Sequence, residues 1–147
     1  MHTFSLKFYK NHYFCSVKKA ERITLTGLTE GVYKEKGSKF LAFAMPITSK
    51  EEVKEIVNRY KKEHHKAKHV CFAYRIGEDI RANDNGEPSG TAGRPILRQI
   101  DAANLDNVLV VVVRYFGGTL LGTGGLINAY KCAAQDAIKN GITTPSK

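Results

Sequence analysis

Two stretches hold the residues whose types and spacing could do chemistry. YFGGTLLGTGGL (115–126) places five glycines in twelve positions, after an apolar run and before a helix-like pattern. Backbone amides at such a strand–loop–helix junction are free to meet an anion, and the helix dipole favours negative charge there. Arg114, just before the loop, could add a bidentate contact. The loop fits neither the Walker spacing, which needs a following Lys, nor G-x-G-x-x-G, since Ile127 stands where the third glycine belongs. An anion cradle from Arg114, Gly117, Gly118, Gly122, Thr123, Gly124 and Gly125 therefore competes with a plain hinge, in which glycines only allow positive φ and close packing.

The second stretch is DNGEPSGTAGRP (84–95). Asp84, Gly86, Glu87, Ser89, Gly90, Thr91 and Arg94 make a polar, turn-rich approach to another helix start, with Ser89 or Thr91 as its cap. Asp84 and Glu87 are close enough in sequence for an acid/base or cation pair, against the alternative of a surface turn. Two glycine loops before two helices make a shared anion pocket conceivable, but spacing alone does not bring them together. No catalytic set emerges: Ser89 lacks a G-x-S-x-G elbow, and Cys71 and Cys132 fall in strand and helix patterns where inert thiols are common. His64, His65, His69 and Cys71 lie in basic surroundings that disfavour a cation, so neither a metal nor a cofactor is expected.

A third feature is RYKKEHHKAKH (59–69), with five Lys or Arg, three His and one Glu. Arg59, Lys61, Lys62, Lys66 and Lys68 form a candidate phosphate-contacting patch. Its one aromatic, Tyr60, falls on a buried stripe, so no stacking platform is evident within it. The patch belongs to a basic half. Residues 1–76 carry sixteen Lys and Arg against seven Asp and Glu, a net of +9, whereas residues 77–147 carry seven of each, a net of zero. Such an excess attracts polyanions through counterion release, or simply keeps a surface solvated.

The elements that must position these residues follow from patterning. RITLTGL alternates, and GVYKEKGSKFLAFAMPI reads as a hairpin turning at Lys36-Gly37-Ser38. Ser49 and Glu52 form a capping box for a helix whose stripe is Val53, Ile56, Val57 and Tyr60, fading near residues 64–66. HVCFAYRI (69–76) is a strand, and residues 77–90 read as a polar loop. A second helix starts between Thr91 and Pro95, with Ile96, Leu97 and Ile100 in the core. VLVVVVRY (108–115) is a central strand buried on both faces. A third helix runs from about Thr123 to Lys139, with Leu126, Ile127, Tyr130, Ala133, Ala134, Ala137 and Ile138 inward. The order βββαβαβα implies an α+β fold, a sheet with helices on one face. The division expected is an N-terminal extension (1–21), one domain (22–140) and a tail or severed linker (141–147). No apolar run approaches the ~20 residues of a membrane span. Without a signal peptide or a disulfide framework, the three cysteines point to a reducing cytoplasm.

DNGEPSGTAGRPIL followed by VVVVRYFGGTLLGTGGLINAY, with EGVYKEKGSKFLAFAMPI before them, resembles the IMPACT N-terminal domain family, which includes the bacterial YigZ proteins. The resemblance covers about residues 22–140. It implies the fold of the second domain of small-subunit ribosomal protein five, shared with domain IV of elongation factor G and a class of small-molecule kinases. Eukaryotic members regulate translation by interfering with activation of a stress-responsive kinase, through the kinase's ribosome-associated activator. Bacterial members usually continue into a second small domain, whereas only seven residues follow Asn140. This chain is then either truncated or without that domain. The function implied is a non-enzymatic domain of translation regulation that binds RNA, the ribosome or a translation-associated protein. The alternative is an enzyme or sensor for a small phosphorylated ligand, held by the glycine loops.

Overall fold

The structure, a computed structural model, describes residues 22–146; the extension expected over residues 1–21 lies outside them. In chain order the elements are β1 (Ile23–Leu25), β2 (Thr29–Glu35), β3 (Ser38–Pro46), α1 (Lys50–Glu63), β4 (His69–Ile76), β5 (Asp79–Asn83), α2 (Gly93–Ala102), β6 (Val108–Tyr115), α3 (Gly122–Lys139) and β7 (Thr143–Pro145). Five strands form one sheet in the order β2-β3-β6-β4-β5, every neighbour antiparallel. The class is α+β. The apolar run of β6 takes the centre, and Val108 through Val113 are inaccessible to solvent, as a strand without alternation requires.

The period of two in β6 divides the core. Val108, Val110 and Val112 join Phe40, Ala42, Cys71 and Ala73 beneath α2 and α3, whose inward side chains include Ile96, Ile100, Tyr130 and Ala133. Leu109, Val111 and Val113 join Val53, Val57 and Tyr60 of α1 on the other side. The helices therefore lie on both faces, not on one: a strand apolar on both sides needs cover on both. Ile127, expected inward, is 38% exposed because it lies off the stripe of Leu126, Tyr130 and Ala133.

Local chemistry sets the boundaries. The Ser49 hydroxyl accepts from the Glu52 amide, and the Glu52 carboxylate accepts from the Ser49 amide at 3.0 Å, closing the capping box of α1. Lys36 and Gly37, with φ of 48° and 84°, turn β2 into β3. Two strands lie outside the sequence reading. Asp79–Asn83, taken there as loop, pairs with β4 as the sheet's outer strand. Residues 143–145, taken as tail, pair with β1, and the Thr26 amide donates to the Ile142 carbonyl at 2.9 Å. No helix among the described residues is long and apolar enough to cross a membrane.

Candidate functional site

Strand register brings the three chemically suggestive segments to one end of the sheet. Lys39 faces Tyr115 across the β3–β6 ladder, and His69 faces Arg114 across β4–β6. The Lys68 amide donates to the Arg114 carbonyl at 2.8 Å. His64, at the C-cap of α1, shares a 2.6 Å hydrogen bond with the Tyr115 hydroxyl. Gly117 lies against the β2–β3 turn, and a Cβ there would overlap the backbone of Gly37 and Ser38. This glycine is required by close approach, and its amide donates to the Ser38 hydroxyl at 3.1 Å.

Beneath that end lies a buried polar cluster. Arg114 is 4% exposed and Glu87 7%. Arg114 Nη1 donates to both Glu87 oxygens, at 2.7 and 2.9 Å. The Tyr130 hydroxyl donates to Glu87 Oε2 at 2.5 Å, and the Cys71 thiol lies 3.4 Å from that hydroxyl and 3.1 Å from the Asp84 carbonyl. His69 Nδ1 donates to the Asn85 carbonyl at 2.7 Å, which leaves Nε2 3.6 Å from Glu87 Oε1. The guanidinium carbon lies 5.7 Å from the centres of both the Phe40 and Phe116 rings. The chain thus joins its two glycine-bearing stretches, and it does so by supplying the anion itself. Arg114, expected to reach an outside ligand, is spent on Glu87. Burial pushes the Cys71 thiol up to about 12 and raises the Tyr130 hydroxyl as well, so neither is a ready nucleophile.

Asp84 and Glu87 take separate hydrogen-bond partners. Asp84 Oδ1 accepts from the Gly93 and Ala92 amides at 2.8 and 3.1 Å, and Oδ2 from Gly90 at 2.9 Å. Asp84 therefore seals the start of α2, the role expected of Ser89 or Thr91. Thr91 instead donates to the Pro88 carbonyl at 2.6 Å, and Ser89 is exposed. Gly86 and Gly90 adopt positive φ in the turns between them, and Arg94 is exposed on the first turn of α2. Among the described residues no group of His, Cys, Asp and Glu is arranged to hold a metal ion.

α3 starts without such a seal. Its N-cap, Leu121, makes no side-chain capping hydrogen bond. Gly118 and Gly122 have φ of 92° and 74°, so the hinge reading accounts for them. Gly124 needs neither a positive φ nor close packing: a Cβ there meets nothing within 4 Å. Thr123 beside it is exposed and Gly125 is partly covered.

Exposed cations lie on the segments around this cluster. Arg59, Lys61, Lys62, Lys66 and Lys68 are all exposed, as are Lys36 and Lys39 of the hairpin. The ion pairs among the described residues engage none of them. Lys68 Nζ lies 5.1 Å from the centre of the Phe116 ring, which is 42% exposed, and Leu120 beyond it is 82% exposed. Lys36, Lys39 and Phe116 are not among the candidate site residues that the sequence singles out. Hairpin register was the available signal, because a turn at 36–37 places these lysines where β3's central neighbour ends.

The family model of the Impact N-terminal domain matches residues 36–138. An IMPACT family member of the pol 5' region of Thermus thermophilus is 46% identical over 108 residues, covering 74% of this chain and 59% of that protein. The chain spans between 49% and 59% of the length of the bacterial relatives it matches, YigZ of Escherichia coli among them. A crystal structure of a hypothetical protein superposes with a TM-score of 0.83 at 32% identity, over 87% of this chain and 65% of that one. The two-domain translational regulator Yih1 superposes with a TM-score of 0.51 at 27% identity, over 84% of this chain and 50% of that one.

Proposed function

We propose that this chain, which belongs to the Impact N-terminal domain family, is a non-enzymatic binding domain of translation regulation whose basic end takes RNA, free or ribosomal. One observation carries the reading. Exposed lysines come to one end of the sheet from separate segments: Lys39 faces Tyr115, Lys36 lies on the turn packed against Gly117, Lys61 and Lys62 lie in the last turn of α1 beside the His64–Tyr115 contact, Lys66 follows them, and Lys68 lies over the half-exposed Phe116 ring. Cations beside an aromatic ring suit a phosphate backbone with accessible bases. The likeness to a translational regulator supports the setting. The cluster of Glu87, Arg114 and Tyr130 is the support beneath this surface, not a reaction centre.

Capture of ribosomes or RNA on the tagged protein at low salt, with and without nuclease, tests the reading. Loss of the captured material on nuclease treatment supports it. A protein partner that survives nuclease, or no capture at low salt, overturns it.

The open start of α3 favours a second reading, a small phosphorylated ligand on the amides near Thr123–Gly125. Thermal stabilisation by a nucleotide that disappears in Gly124→Val supports it, and stabilisation that persists in that variant contradicts it.

A further inference from the structure

On its β5 side the sheet extends one strand beyond the helix covering it. α1 packs over β4 and β6, while β5 continues the sheet outward beyond β4. The step leaves a groove of about 600 Å³ between α1 and the outer strands, a size within the range of ligand clefts. Its floor is half-buried Phe72, with Tyr74 held beside it by a 3.2 Å hydrogen bond to Asp79. One wall is the α1 flank of Lys54, Asn58 and Lys61, spaced i, i+4, i+7 so that they form one row. The other wall is Arg81, which faces Tyr74 across the β4–β5 ladder. Lys50 and Glu51 close one end. Four lining cations against one lining carboxylate, with Asp79 engaged by the Tyr74 hydroxyl, suit a strand of phosphates with a base turned inward on the aromatic floor.

We infer that this groove binds single-stranded RNA, with a base against Phe72 and the flanking phosphates on Lys54, Lys61 and Arg81. The inference rests on the RNA reading above and deepens it. Lys61 borders both the groove and the basic end, so a strand held at that end runs on between α1 and β5. A duplex keeps its bases stacked inside and presents none to the floor, so the groove selects single strands.

The test is fluorescence titration of the full chain with a short labelled oligouridylate and with duplex RNA of equal length. Lys54 and Arg81 are exposed, so Lys54→Ala/Arg81→Ala keeps the fold, which thermal unfolding checks. This variant should lose about tenfold in oligouridylate affinity and much less for the duplex. Phe72→Leu should weaken the oligouridylate about fivefold; if that variant fails to fold, the exposed pair carries the test alone. Wild-type affinity of the double variant for the oligouridylate, beside a loss in Lys62→Ala/Lys66→Ala/Lys68→Ala, overturns the groove and leaves the basic-end reading standing. Equal losses on both RNAs in the double variant also overturn it, because charge alone then accounts for them. If the wild-type chain binds neither RNA at low salt, both readings fall.

Discussion

Two helices of this chain begin at glycine-rich stretches, and they begin differently. At the start of α2, Asp84 accepts from three backbone amides, and beside it Glu87 accepts from Arg114 and Tyr130. At the start of α3 the N-cap Leu121 makes no side-chain capping hydrogen bond among the described residues, and the preceding loop is open to solvent between Phe116 and Leu120. The same composition therefore serves opposite ends. The first stretch satisfies its own polar groups and fixes the loop against β6 and α3. The second leaves an exposed loop, with the Phe116 ring against Lys68 and Arg114 and exposed lysines on the segments beside it. A glycine-rich motif points to a ligand only where the chain has not already supplied the partner.

The largest effect should come from opening the self-satisfied side. Glu87→Ala leaves Arg114 buried without its counter-ion, and one guanidinium nitrogen, Nε, has no hydrogen-bond partner among the described residues even in the native fold. The expected loss is about 3–5 kcal/mol in urea unfolding. A loss below about 1 kcal/mol would mean that the cluster does not hold the two stretches together.

A packed glycine of the loop and an open one in the first turn of α3 give the next contrast. Gly117→Ala forces a methyl into the β2–β3 turn and should destabilise by about 1–3 kcal/mol. Gly124→Ala meets open space in a helix and should stabilise by about 0.4–1 kcal/mol. Equal destabilisation in both would remove the distinction between the packed loop and the open helix start.

A smaller effect follows from the cap of α2. Asp84→Ala should cost about 1 kcal/mol at neutral pH. Burial works to raise the Asp84 carboxyl, but its hydrogen bonds from Gly90, Gly93 and Ala92 outweigh that and hold it below its usual value. A lowered folded pKa gives stability that is complete above the unfolded value, about 3.9, and lost as pH falls through the folded one. The stabilities of wild type and Asp84→Ala should therefore converge on acidification. A constant gap from neutral to acid pH would show that the carboxylate is not the cap.

Much of this arrangement was legible in the sequence, and its gaps have physical causes. The capping box at Ser49, the hairpin turn at Lys36-Gly37 and the central position of β6 follow from local rules, and each stands in the structure. β5 escaped because Asp79–Asn83 has four exposed residues in five and little strand propensity; pairing with β4 makes it a strand. Helices on both faces were implicit in VLVVVV, since a strand without a polar face needs two covers. The Glu87–Arg114 pair spans 27 residues, beyond any spacing rule. Its signal was Arg114 at the end of a fully buried strand, a charge that must find an opposite one. The basic end was half visible: Lys61 to Lys68 are contiguous in sequence, whereas Lys36, Lys39 and Phe116 join them only through strand register.

The central claim is that the open, basic end binds RNA through its phosphates. Affinity for a single-stranded RNA, measured across a salt series for the wild type and for Lys61, Lys62, Lys66 and Lys68 changed together to Ala, tests it most directly. The expected result is a logarithmic salt slope shallower by about 3 in the variant, at a fold stability close to that of the wild type. Parallel slopes for the two proteins, or wild-type binding indifferent to salt, would contradict it.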